Sequence, residues 1–291
     1  MELGEECRTC LVNSQTKKVA SYEDKVKVKE FISSITSLAS SFSKEKSSPL
    51  LMREINYIHR KVFNKDLDYS REKYRFNMLC LQYENQIKLE INKSEDPLKK
   101  AIQFARVGNL IDFAKLSVIE DNILDYFIKS ATKQMVEKDV YEDLIKELGV
   151  AKKLVYLLDN CGEIVFDKIM IETIQKHFPQ IEIIAVVRGE EIINDVTYFD
   201  SEMVGLNKVC RVIDNGTDIP GTYLEEISDN LKEELKTSDL IISKGLGNFE
   251  TLNGCGLNIY YMFLCKCMYF ADKFSLNLWE SVLVNEARLK T

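Results

Sequence analysis

The feature that most constrains the fold is a change of character near residue 150. Lys153 to Leu158, Ile181 to Val187, Val209 to Ile213 and Leu240 to Ser243 are short runs dense in valine, isoleucine and leucine. Runs of that length, without polar alternation, suit strands buried on both faces of a parallel sheet. Helix-like stretches at Ile164 to His177 and Tyr223 to Leu235 separate them, which argues for βαβ units. Ile259 to Leu264 and Ser281 to Val284 read as further, edge strands.

Before Ala151 no segment makes a convincing strand. Glu23 to Ser43 carries Val26, Val28, Phe31, Ile32, Ile35 and Leu38 at helical spacing, and Leu51, Ile55, Ile58 and Val62 form a second stripe after Pro49. Arg71 to Ile91 is rich in helix formers, and Asp96-Pro97 has the pattern of an N-cap followed by a first helical proline. Two more helices are expected, around Val118 to Ser130 and Val140 to Leu148. The expected organisation is a helical subdomain over residues 1–150 and an α/β catalytic domain over 151–291, which the chain length accommodates.

Charge and cysteine content narrow the partners. A formal net charge of -7 argues against general affinity for nucleic acid or anionic membrane, while leaving room for a local basic pocket. No apolar run reaches membrane-spanning length, and Met1 to Glu6 lacks a basic-then-apolar secretory pattern. Eight scattered cysteines fit a reducing compartment better than a disulfide framework. A cytoplasmic location is therefore expected.

In open α/β sheets, ligands bind beyond the carboxyl ends of the strands. The first run ends in Asp159-Asn160-Cys161-Gly162-Glu163. The second ends in Arg188-Gly189, followed by Asn194-Asp195-Val196-Thr197. The fourth ends in Lys244-Gly245-Leu246-Gly247-Asn248-Phe249-Glu250. Each cluster alone also has a structural reading: the first as a strand-to-helix turn, Asn194-Asp195 as a helix cap, and Lys244 to Gly247 as a flexible loop. Together they bring metal and phosphate chemistry to one sheet edge. Asp159, Asn160 and Asp195 offer oxygen ligands for a hard divalent cation. Gly162 opens the mouth of a helix N-terminus to an anion, Lys244 offers positive charge, and Gly245 and Gly247 give close access. Such a set suits phosphoryl transfer by positioning and charge.

These blocks, Asp159-Asn160-x-Gly162-Glu163, Arg188-Gly189 with Asn194-Asp195-Val196-Thr197, and Ser243-Lys244-Gly245-x-Gly247-Asn248-Phe249-Glu250, resemble the signatures of the damage-control phosphatases, also known as domain of unknown function 89. Cys7-x-x-Cys10, and Asp96-Pro97-Leu98 leading to Gly108-Asn109-Leu110-Ile111-Asp112, resemble the subfamily with an N-terminal CxxC. The resemblance covers nearly the whole chain. It implies a helical N-terminal portion on a three-layer α/β domain with a mostly parallel sheet. It also implies a divalent metal (Mn, Co, Ni or Mg) on Asp159, Asn160 and Asp195, and hydrolysis of small phosphomonoesters such as sugar phosphates or damaged metabolites. The sequence departs from the pattern at Cys161, where alanine is frequent, and at Leu246, where glutamine is.

The expected roles follow from these readings. Asp159 and Asp195 hold the metal and one takes a proton from water. Glu163 stands as a supporting or basic group. Lys244, Arg188, Asn194, Asn248, Gly162, Gly245 and Asn109 contact substrate or phosphate. Rival readings are an S-adenosylmethionine-dependent carboxyl methyltransferase, a dinucleotide enzyme on Gly245-x-Gly247-x-x-Glu250, and a metal or redox module on Cys7 and Cys10. An aspartyl-phosphate route is disfavoured because Cys161 stands two residues after Asp159.

Overall fold

The computed structural model describes residues 2–108, 123–274 and 276–289. Among the described residues seven helices come first: α1 (Glu5–Val19), α2 (Lys25–Ser41), α3 (Ser48–Phe63), α4 (Ser70–Lys93), α5 (Pro97–Gly108), α6 (Ile123–Lys133) and α7 (Lys138–Val150). Then β1 (Lys153–Leu157), α8 (Glu163–His177), β2 (Glu182–Val187), α9 (Tyr198–Met203), β3 (Arg211–Asp214), α10 (Asp229–Thr237), β4 (Leu240–Lys244), α11 (Leu246–Leu252), β5 (Ile259–Leu264), α12 (Met268–Phe274) and β6 (Ser281–Asn285) follow. The sheet order is β3-β2-β1-β4-β5-β6, parallel except for β6. Among the described residues no strand precedes β1, as the sequence implies. No described helix is long and apolar enough to cross a membrane.

Strand alternation explains the three layers. Leu154, Tyr156, Ile242, Tyr260 and Met262 enter one core, while Val155, Leu157, Ile241, Tyr261 and Phe263 enter another on the opposite face. Successive side chains point to opposite faces, so a strand covered on both sides must be apolar throughout. The first core also takes Phe76, Leu98, Phe104, Phe127 and Leu144 from the helical half, packed against Phe166 of α8. Helices α4–α7 thus share a core with the sheet, and only α1–α3 form a separate cluster around Phe31, Ile35, Leu51 and Ile55. Among the described residues, position 150 divides strand-free from strand-bearing sequence; the core runs across it.

The helix expected over Tyr223 to Leu235 begins later, at Asp229. Ser228 caps it, its side chain accepting from the Leu231 N–H, and residues 223–227 form a turn instead. The expected helix over Val118 to Ser130 lies partly outside the described residues, and the part within them is α6.

Candidate active site

Register places the key strand ends level with one another. Leu157 pairs with Val186 on one side and Ser243 on the other. Asp159, Arg188 and Lys244 therefore emerge at one edge. Residues 194–197 are laid between β1 and β2: Val196 N–H donates to Asp159 O (2.9 Å), Cys161 N–H to Asn194 O (2.9 Å), and Arg188 N–H to Val196 O (2.8 Å). This fixes Asp195 across from Asn160. Just before it, Ile193 adopts φ +48°, a costly backbone for a β-branched residue and one often found at functional sites.

Asp159, Asn160, Asn194 and Asp195 form the floor of a cavity of about 210 Å³. Its walls come from Leu11 of α1, Pro49 and Met52 of α3, Leu246 and Glu250 of α11, and Leu264 and Lys266 at the end of β5. The Asn160 amide nitrogen donates to Asp159 Oδ2. Arg188 Nε donates to Asp195 Oδ2 at 2.7 Å, and its Nη2 lies 3.6 Å from Asp159 Oδ1. Gly245, at φ +80°, passes so close to the Asp159 carboxylate that an added Cβ would overlap it. Only glycine serves there.

The structure reassigns several residues. Lys244, expected at the phosphate, is 0% exposed. Its ammonium donates to Glu163 Oε1 (2.5 Å), Asp167 Oδ1 (2.7 Å) and Ala105 O (2.9 Å), so its donors are committed inside the protein. Glu163, expected as a possible base, is likewise 0% exposed. Arg188, expected on substrate, is 1% exposed behind the two aspartates, and its Nη1 and Nη2 lack hydrogen-bond partners among the described residues. Asn248, expected on phosphate, clamps the sheet edge: its amide nitrogen donates to Leu158 O and Lys244 O, and its oxygen accepts from Thr222. The Gly162 N–H is taken by Asn77 Oδ1 at 2.7 Å, which fastens the Asp159 turn to α4. Asn109 and Asp112 lie outside the described residues.

The electrostatics of this floor fit a divalent cation. Four carboxylates (Asp159, Asp195, Glu163, Asp167) meet two buried cations (Arg188, Lys244). With all six ionised, two negative charges remain. Burial pushes Asp159 well above the ordinary carboxylate range, reinforced by the charges of Asp195 and Glu163. Burial raises Asp195 too, against the pull of Arg188. A bound cation would relieve that cost. Among the described residues no three His, Cys, Asp or Glu side chains form a ready-made cage. The donor set is two carboxylates and an amide, which leaves positions for water and substrate.

Lys266 was not singled out from the sequence. It is exposed, lines the cavity, and adds to Arg188 a second, weaker pull that lowers Asp159. The signal was its place just after the Ile259 to Leu264 run, at a strand's carboxyl end. Glu250, quoted only within a motif, also lines the cavity and accepts from the Ser48 N–H and hydroxyl.

The remaining candidates do not line the cavity. Burial raises the Cys161 thiol well above its usual value, and the residue packs in the first core. Cys7 is pushed up to about 12, chiefly by burial, which opposes a reactive thiolate, while Cys10 is exposed. His59 packs against Tyr22, Phe31 and Phe63, and His177 pairs with Thr173 O.

The fold and this floor define an α/β protein with an acidic oxygen-donor centre at the carboxyl edge of its sheet. The chain belongs to the damage-control phosphatase ARMT1-like domain family, which matches residues 3–282. It is 30% identical over 294 residues to a damage-control phosphatase of Archaeoglobus fulgidus, covering 97% of this chain and 98% of the relative. It is 32% identical over 239 residues to an uncharacterized protein of Methanocaldococcus jannaschii, covering 78% and 77% of the two chains. The crystal structure of a DUF89 family protein from Pyrococcus horikoshii superimposes with a TM-score of 0.84 at 26% identity, covering 98% of this chain and 99% of that one.

Proposed function

We propose that this protein is a divalent-metal-dependent phosphatase acting on small phosphomonoesters. The observation that carries this reading is a pair of buried carboxylates, Asp159 and Asp195, sharing one guanidinium at the floor of a small cavity that Lys266 also lines. Asp159, Asn160 and Asp195 would hold the cation, with Mn, Co, Ni or Mg as candidates. When bound, such a cation polarises a phosphoryl oxygen and makes a water acidic enough to attack at neutral pH.

The chain's own residues supply the rest. Arg188 occupies Asp195 Oδ2, leaving Oδ1 for a ligand. A carboxylate of the aspartate pair takes the proton of the attacking water. Lys266 binds the phosphoryl oxygens from the cavity wall, and Asn194 offers a further hydrogen bond from the floor. Leu11, Pro49, Met52 and Leu246 limit the space for the alcohol part.

The test is phosphate release from a panel of phosphomonoesters, after chelation and add-back of Mg²⁺, Mn²⁺, Co²⁺ or Ni²⁺. Metal-stimulated release without S-adenosylmethionine is expected. Asp159→Ala and Asp195→Ala, both folded, should each lose about a hundredfold or more, as groups acting on the transition state do. Turnover indifferent to metal, or variants that keep wild-type rates, would overturn the reading.

A further inference from the structure

The ion group under the cavity floor has no direct access to substrate, yet it touches the floor at one atom. Lys244 holds Glu163 by Oε1 at 2.5 Å. The other carboxylate oxygen, Glu163 Oε2, faces the Asn160 amide nitrogen at 3.4 Å, and that same nitrogen donates to Asp159 Oδ2. The Asn160 amide thus has carboxylate oxygens from two residues on its nitrogen side. Turned over, its carbonyl oxygen would face both negative groups, which is electrostatically unfavourable.

We infer that Glu163, held by Lys244, is a positioning residue that turns the Asn160 side chain so that its oxygen, Oδ1, faces the cation. A ligand's outer partner commonly sets its orientation in this way. The arrangement also links the helical half to the centre. Lys244 donates to Ala105 O of α5, and Gly108, at the end of α5, lies so near that an added Cβ would sit 2.8 Å from Glu163 Cγ. Glu163 is therefore fully buried between a helix end and a lysine that holds its other oxygen. The inference rests on the phosphatase reading only for the presence of a cation on Asp159, Asn160 and Asp195.

The experiment is calorimetric titration of Mn²⁺ alone into the full chain after chelation. Glu163→Gln, which keeps shape but removes the charge that fixes the amide, should bind Mn²⁺ about 10- to 100-fold more weakly. Glu163→Asp keeps the charge but withdraws it from Asn160, and should weaken binding as well. In an Asn160→Asp background either orientation presents an oxygen, so Glu163→Gln should change affinity by no more than about twofold. Circular dichroism melts confirm that each protein is folded, and either Glu163 variant suffices if the other does not fold. Wild-type affinity in both Glu163 variants would overturn the inference, as would an equal loss in the Asn160→Asp background. A wild-type chain that binds none of Mn²⁺, Mg²⁺, Co²⁺ or Ni²⁺ would instead remove the metal reading, and this inference with it.

Discussion

Lys244 and Lys266 stand at the carboxyl ends of neighbouring strands, and they do opposite work. Lys244 is the last residue of β4, with its ammonium sealed among Glu163, Asp167 and Ala105. Lys266 lies just past β5, exposed, on the cavity wall. The difference comes from strand alternation. Leu240 and Ile242 enter the core shared with α5 and α8, and Lys244, two residues on, points the same way. Lys266 has left the strand and is not bound by that alternation. The same charge is thus sealed into the interior in one case and left exposed on the cavity wall in the other.

The largest effect expected from this contrast is on stability. Lys244→Met would leave Glu163 and Asp167 buried without their cation, a loss of about 3–5 kcal/mol. Lys266→Met, at an exposed position, should stay within about 0.5 kcal/mol of wild type. Urea unfolding of both variants checks this, and equal stability would break the contrast. Next in size is Gly245→Ala. It forces φ +80° on alanine, at about 1–3 kcal/mol, and drives a methyl into the Asp159 carboxylate. Calorimetry should find Mn²⁺ binding weakened along with stability.

Most of the fold was legible because its strands are buried on both faces, so each apolar run stands out from the helical periodicity around it. The edge of the sheet bearing the candidate site was legible for the same reason, since Asp159, Arg188 and Lys244 each end or follow such a run. What the sequence did not disclose is which way each polar side chain faces after the strand stops. Asn248 looked like a phosphate ligand because it follows a glycine turn, yet its amide is consumed by the carbonyls of Leu158 and Lys244. Lys266 was passed over because Ile259 to Leu264 read as an edge strand, whereas β5 lies inside the sheet with β6 beyond it. Tyr223 to Leu235 looked helical by composition, and only the capping by Ser228 shows where the helix starts. Such outcomes depend on tertiary packing, which local pattern does not carry.

Of smaller size is the kinetic counterpart of the first contrast. Lys266→Ala should lose about 1.5–3 kcal/mol of transition-state binding, roughly a ten- to hundredfold fall in kcat/KM, if the ammonium bonds the phosphoryl group. Its melting temperature should hardly move. Steady-state assays on a responsive phosphomonoester read this directly, and an unchanged kcat/KM would return Lys266 to the solvent.

The interior half of the comparison also carries a pH dependence. Asp167 is pushed up to about 7 by burial, against the attraction of Lys244. A carboxyl raised in the fold keeps its proton where the unfolded chain, near 3.8, has lost it. The folded state then binds more protons between about pH 4 and 7, so stability falls as pH rises through that window. Above the window the full cost is present, and below it none is. Asp167→Asn cannot titrate and removes this component alone, while Lys244 stays charged across the same range. Denaturant unfolding of the metal-free proteins at several pH values should therefore show wild type losing stability relative to Asp167→Asn as pH climbs towards 7, then running parallel to it. Parallel curves throughout would mean that Lys244 keeps Asp167 ionised from acid pH onward. The interior would then be a fixed ion pair whose proton count does not change on folding.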